Sequence, residues 1–165
     1  MGNSPIIRPA TPADRGDLRR AIVELQEHER RLHGTRHPGE AIADAYLAWL
    51  EERAVAAGGV ILVAAADGEF AGFAAGWVEE TECIPETPDS NRFGYVSDVC
   101  VLPERRGQRI VGLLLTALEQ ALAAAGITRL RLSTLAMNDV ARRAYERAGF
   151  APYEIVYEKR LRGSS

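Results

Sequence analysis

A chain of 165 residues, 47% hydrophobic and 26% charged, is long enough to bury one real core and has the composition of an ordinary globular domain. Its net charge of −3 removes any general electrostatic case for a nucleic-acid partner, because such partners are met by strongly basic surfaces. No apolar run approaches the roughly 20 residues that cross a bilayer.

The start, Met1-Gly2-Asn3-Ser4-Pro5-Ile6, lacks the apolar core of a secretion signal and the Ser or Thr that a myristoylation site wants at position 6. A cytoplasmic protein with no membrane attachment is therefore expected. Cys83 and Cys100 are far apart and belong to no CxxC pair, so neither a disulfide framework nor a metal site is expected. Nearly all basic residues are arginine; Lys159 is the one lysine.

Ile6 to Arg8 reads as a short first strand. Thr11-Pro12-Ala13-Asp14 is a helix start, with a capping hydroxyl, a proline suited to the first turn and an acid at the positive end. That helix runs to about Leu32. Gly34 and Arg36-His37-Pro38-Gly39 break it, and a second helix spans about 39–57. Val60 to Ala66 is a continuous apolar run, the pattern of a strand covered on both faces. Asp67-Gly68 is a hairpin turn, and Phe70 to Glu79 is the partner strand. Residues 80–91 form a loop and Phe93 to Val101 the next strand. A helix over 107–125, a strand over Thr128 to Thr134, a helix from Asn138 to Ala148 and a final strand from Tyr153 to Leu161 complete the chain. There is no internal repeat or linker, so one domain over 1–165 is expected. The order β, α, α, β, β, β, α, β, α, β predicts an α/β (α+β) fold: a mixed, mostly antiparallel sheet of six to seven strands with helices on both faces. The strand–helix–strand unit over 93–134 is expected to be a right-handed crossover.

The stretch from Val99 to Leu115 stands out. Pro103 ends the strand, helical spacing starts near Ile110, and Arg105, Arg106, Gly107 and Arg109 fill the join. A helix start carries unpartnered N–H groups and a positive dipole, so arginines there make an anion site, most naturally for phosphates. The plainer alternative is a solvated basic turn.

The element order and two motifs resemble the GNAT superfamily of acetyl-coenzyme A-dependent N-acetyltransferases over nearly the whole chain. One motif is Val101-Leu102-Pro103-Glu104-Arg105-Arg106-Gly107-Gln108-Arg109-Ile110-Val111-Gly112. It is similar to the family's strand end, proline and Arg-x-x-Gly-x-Gly/Ala pyrophosphate loop. The other is Asn138, Ala141, Tyr145 and Gly149-Phe150, which fits the family's Asn-x-x-Ala-x-x-x-Tyr-x-x-x-Gly-Phe helix. The loop departs from the pattern at Arg109 and Val111, where small residues are usual.

The resemblance implies acetyl-coenzyme A as donor and a primary amine of a small molecule, peptide or protein as acceptor. It implies backbone pairing of Val99 and Val101 with the coenzyme arm, and an N–H near Cys100 and Val101 that polarises the acetyl carbonyl. It further implies a pyrophosphate grip from residues 105 to 112, including Gln108 and Ile110, a contact from Asn138, and Tyr145 as general acid. Tyr145 on a short amphipathic helix also fits a plain core residue. Many family members place a carboxylate base in the middle of this strand, and Asp98 is the one carboxylate there; a structural hydrogen bond is its alternative role. Glu79, Glu80 and Glu82, at the end of the preceding strand, are rivals for the base, or form a rim for a cationic acceptor, or are simply an acidic turn. His28, with His33 and His37, lies where the family puts part of its acceptor site. Many relatives pair, so a homodimer is an open expectation. A second reading, motivated by Arg109 and Val111, is a non-catalytic acyl-coenzyme A sensor on the same fold.

Overall fold

The computed structural model describes residues 4–161. Readings that concern Met1 to Asn3 lie outside them. β1 (Ile6–Pro9) leads into a tight turn at Pro12–Asp14 and then α1 (Arg15–Leu32). Asp14 organises that turn. Its carboxylate accepts from the Thr11 amide at 2.7 Å and the Thr11 hydroxyl at 2.8 Å, and both Arg8 guanidinium nitrogens reach it at 2.8 Å. The Arg8 guanidinium holds this carboxyl well below the usual carboxylate range.

α2 (Gly39–Ala56), β2 (Val60–Ala66), β3 (Glu69–Glu80) and β4 (Arg92–Val101) follow. The Asp67-Gly68 turn has positive φ at both residues, 53° and 80°, the backbone that lets a two-residue hairpin match the twist of its strands. α3 (Ile110–Ala123), β5 (Leu130–Leu132) and α4 (Asp139–Arg147) complete the elements.

The sheet runs β1-β2-β3-β4-β5; its first four strands are antiparallel neighbours and β5 lies parallel to β4. α3 is the crossover between those two parallel strands, a connection a hairpin cannot make. Alternation along the strands splits the core in two. On one face Val63, Phe73, Ala75, Trp77 and Cys100 meet Leu18, Ile22, Leu47 and Leu50 of α1 and α2. On the other Leu62, Ala64, Ala74 and Val96 meet Ile110, Leu114, Leu118 and Leu122 of α3. Gly76 permits the second contact: a Cβ there would sit 2.7 Å from the Tyr95 carbonyl and 3.0 Å from Leu118 Cδ2.

Three expectations change. α3 begins at Ile110, not 107, because Gly107 and Arg109 hold φ of 82° and 59°, which a right-handed helix does not contain. The 128–134 strand shrinks to three residues. Tyr153 to Leu161 forms no strand, so the described residues carry five strands rather than six or seven. A strand exists by pairing, and among the described residues nothing pairs with this tail.

Candidate active site

β4 is the axis of the site, and its two halves differ. β5 pairs with it at Gly94, Tyr95 and Val96 and then stops. β3 pairs along the whole strand, but the register slips between Ala75 and Gly76, leaving Ser97 as an extra residue on β4. That bulge sits where the two parallel strands part. Bulges re-aim side chains and interrupt pairing. Here Ser97 to Val101 has a strand neighbour on one side only, and its other edge faces a gap.

At the end of this half comes the arginine turn. Leu102 N–H donates to the Ala71 carbonyl at 2.9 Å, and Pro103–Arg105 makes one tight turn. Arg109 caps α3 in the left-handed region, φ 59° and ψ 14°. This is the backbone that a glycine adopts without strain. Ahead of Gly107 and Gly112 the space is open: a Cβ at either would meet nothing within 4 Å.

The arginines are not equivalent. Arg105 is tied to the hairpin, 3.4 Å from Asp67 and also paired with Glu69, so the structure uses it to anchor the turn. Arg106 donates to the Val101 carbonyl at 3.4 Å. Among the described residues neither Arg106 nor Arg109 has a carboxylate partner, and both are exposed. Two uncompensated guanidinium groups and the free first amides of α3 thus share one surface.

Across β4, on the α1 and α2 side, lies a cavity of about 520 Å³. Tyr46 and Trp49 of α2, Tyr95 and Asp98 of β4, and Glu29 of α1 line it. Asp98 is 7% exposed. Tyr46 donates to its two oxygens at 3.2 and 3.1 Å, and Ser97 donates at 2.7 Å. Burial pushes the carboxyl up to about 6, against the pull of these hydroxyls. A carboxylate held there changes protonation just below neutral pH and is well suited to take a proton. The aromatic wall is continuous: Tyr46 stacks on Trp49 at 5.4 Å, and Trp49 meets Trp77 edge-on at 5.6 Å.

α4 stands on the far side of the gap. Asn138 is its N-cap, accepting from Ala141 N–H at 3.2 Å, and its Oδ1 lies 3.4 Å from His28 Nε2. Tyr145 packs against the α3 face, 6.3 Å from Phe150 and edge-on to it. Burial, reinforced by the negative charge of Asp98 and Glu29, raises its phenol to about 12. Tyr145 is therefore a neutral phenol at any ordinary pH, and no hydrogen bond among the described residues involves its hydroxyl. Cys100 is buried, donates to the Ala21 carbonyl at 3.4 Å and is raised to about 12 by burial, which makes it a core thiol and no nucleophile.

The structure brings Asp98, Val99, Cys100, Val101, Asn138 and Tyr145 to the same strand gap, with Arg106 to Gly112 at its end. It does not bring the remaining glutamates there. Glu79 is bound to Arg53 at 2.8 Å and to Trp77 Nε1 at 2.5 Å, in the half of the sheet where β5 pairs. Glu82 is exposed in the 81–91 loop. His28 faces Asn138, while His33 bonds Thr35 at 2.9 Å and His37 is exposed; the three do not converge. Tyr46, Trp49, Tyr95 and Glu29 were not among the expected site residues. The one trace of them is a tyrosine and a tryptophan three apart on α2, with Trp49 left 45% exposed. Among the described residues no group of three His, Cys, Asp or Glu could hold a metal ion, and no helix is long and apolar enough to cross a membrane.

Solved structures share this arrangement of elements. A mutant of the BH1408 protein from Bacillus halodurans superposes with a TM-score of 0.75 at 22% identity, covering 94% of this chain and 99% of that one. The aminoglycoside N-acetyltransferase AAC(6')-Iy, in complex with CoA, superposes at 0.72 with 22% identity over 98% and 97% of the two chains. The fold is thus that of an acetyltransferase. The sequence itself matches the acetyltransferase (GNAT) family over residues 20–150, and the chain belongs to that family. Among curated relatives it resembles the uncharacterized N-acetyltransferase YycN of Bacillus subtilis (strain 168), with 36% identity over 77 residues, 47% of this chain and 48% of that protein. The matched stretch spans about half the length of that relative.

Proposed function

We propose that the chain is an N-acetyltransferase that moves acetyl from acetyl-coenzyme A to a primary amine of a small molecule. The observation that carries this is the parting of β4 and β5 at Ser97, with a phosphate-ready helix start at one end of the open edge, a buried carboxylate on one side and a neutral phenol on the other. The pyrophosphate lies on the amides of Ile110 to Gly112, with Arg106 and Arg109 alongside. The coenzyme arm takes the edge of Val99 to Val101 as a neighbouring strand would. A backbone N–H there polarises the thioester carbonyl.

The acceptor enters from the cavity of Tyr46, Trp49 and Tyr95. Its nitrogen attacks the acetyl carbon, and Asp98 takes the proton that the nitrogen sheds as the C–N bond forms. The C–S bond then breaks, and Tyr145 donates to the departing sulfur. The aromatic walls beside Asp98 suit an acceptor that carries an apolar body next to its neutral amine. The experiment is a screen of acetyl-coenzyme A against amino acids, polyamines, aminoglycosides and aryl-alkyl amines, read by thiol release, with calorimetry of coenzyme A alone. Micromolar coenzyme binding and turnover with one amine class support the reading. Absence of coenzyme binding up to the millimolar range overturns it. Tight binding with no turnover on any amine leaves the non-catalytic sensor in its place.

A further inference from the structure

The fold treats the two tryptophans of the chain differently. Trp77 is 1% exposed, and its indole N–H donates to Glu79 at 2.5 Å. Trp49 is left nearly half exposed. Packing uses only part of its ring, which stacks on Tyr46 with the planes 27° apart and meets Trp77 edge-on. The ring also lines the cavity that holds Asp98, beside Tyr95 and the apolar side chains of Ile22, Leu25 and Ile42. A tryptophan held rigidly by two other rings, yet half bare inside a cavity, offers a stacking surface that the fold itself does not fill.

The charges of the cavity supply the second observation, because they are already matched. Glu29, Arg36 and Asp98 are the charged groups that line it. Arg36 Nε donates to Glu29 at 2.6 Å, so these two compensate each other. Asp98 accepts from the hydroxyls of Tyr46 and Ser97. An acceptor with several ammonium groups would meet no free carboxylate for those that do not react, and an unpaired charge taken out of water is unfavourable. An acceptor with a carboxylate beside its amine would find the one cation engaged by Glu29 and would bring a like charge toward Asp98. A flat apolar body meets neither penalty and gains the offset-stacked and edge contacts that aromatic walls provide.

We propose that the acceptor is an arylalkylamine, a monoamine with an aromatic ring and no carboxylate, and that Trp49 selects it. This rests on the acetyl-transfer reading of the site and narrows it. The acceptor ring lies on the bare surface of Trp49, and a short alkyl spacer carries its nitrogen to Asp98. Tyr46 spans that path: its ring stacks on Trp49 and its hydroxyl donates to Asp98 at 3.1 Å. The same walls discriminate against polyamines, aminoglycosides and free amino acids.

The test compares kcat/KM of the full chain for 2-phenylethylamine, butylamine, phenylalanine, spermidine and neamine, read by thiol release, with calorimetry of coenzyme A. 2-Phenylethylamine is expected to exceed each of the others at least about 30-fold. Trp49→Ala is expected to lower its kcat/KM at least about 30-fold, mostly through KM, and to bring its advantage over butylamine below about threefold. Trp49→Phe keeps a ring and restores most of the loss. An unchanged coenzyme A Kd shows that each variant is folded; should the alanine variant fail, Trp49→Leu, apolar but without a ring, takes its place. Turnover that favours spermidine or neamine, or that ranks 2-phenylethylamine level with butylamine, overturns the proposal and leaves an acetyltransferase of another amine. So does coenzyme binding without turnover of 2-phenylethylamine, or an aryl preference that survives loss of the Trp49 ring. Failure to bind coenzyme A is the separate result that removes the acetyl-transfer reading, and the proposal with it.

Discussion

The two halves of β4 lie in one strand and share one partner on one side. From Arg92 to Val96 the strand is flanked by β3 and β5, and its neighbourhood is closed by structural pairs such as Glu79 with Arg53 and Trp77. From Ser97 to Val101 it is flanked by β3 alone: Asp98 is held by two hydroxyls and no cation, and among the described residues no hydrogen-bond partner meets the Tyr145 hydroxyl and no carboxylate pairs with Arg106 or Arg109. Charge does not separate the halves, since both hold carboxylates. Pairing does. Where the second neighbour is present, polar groups satisfy one another; where it is missing, they remain free for a ligand.

The largest expected effect tests this division directly. Asp98→Asn lowers kcat about 10²- to 10⁴-fold, with coenzyme affinity unchanged in calorimetry. Glu79→Gln, in the closed half, leaves kcat within about twofold of wild type by the same assay; its carboxylate is spent on Arg53 and Trp77. Equal losses in the two variants would erase the distinction between the halves.

The same carboxylate sets the pH response. With its value near 6, kcat/KM rises about tenfold per pH unit below 6 and levels above it, because the base acts when ionised. Stability moves the other way. The folded state holds the proton more tightly than the unfolded one, so ionisation of Asp98 costs stability as pH rises from about 4 to 6 and the cost persists above that. Asp98→Asn removes a cost of about 3 kcal/mol, two pH units' worth, and melts higher than wild type at pH 8 but not at pH 4. A wild-type profile that is flat in kcat/KM from pH 5 to 8 excludes Asp98 as the base.

Tyr145→Phe is expected to cost about 10- to 100-fold in kcat with little change in coenzyme Kd. A phenol raised to about 12 is a weak acid, and its contribution is a hydrogen bond to sulfur as charge develops. A change in melting temperature with kcat intact would instead mark Tyr145 as a core residue beside Phe150.

Much of the fold was readable because it rests on local signals. Asp67-Gly68 sets a hairpin by its own conformational freedom, and the helical spacing from Ile110 marks α3, although its buried face runs through Leu114, Leu118 and Leu122 and leaves Leu113 exposed. The Asn138-to-Phe150 pattern was equally legible, since capping and helix ending are near-neighbour chemistry. The cavity was not. Helical periodicity says that Tyr46 and Trp49 flank an apolar face, but not that α2 lies across β4 so that Tyr46 reaches Asp98. The bulge at Ser97 leaves no mark in composition, and it is what aims Asp98. Charge counting points to Glu79 and Glu82 but is blind to partners such as Arg53.

The smallest effect concerns the open half's far end. Arg109 holds a left-handed backbone as a non-glycine residue, at a cost of about 1 kcal/mol. Arg109→Ala removes the guanidinium and keeps that strain. Arg109→Gly removes both, although the added freedom of the unfolded chain offsets part of the gain. The glycine variant should therefore melt about 1–3 °C above the alanine variant. If the backbone amides of α3 carry the pyrophosphate, the two variants bind coenzyme A within about threefold of wild type. An equal loss of tenfold or more in both would assign the grip to the guanidinium. The turn would then be a site built on side-chain charge, and Arg109 would stand in for the close backbone approach that a glycine gives.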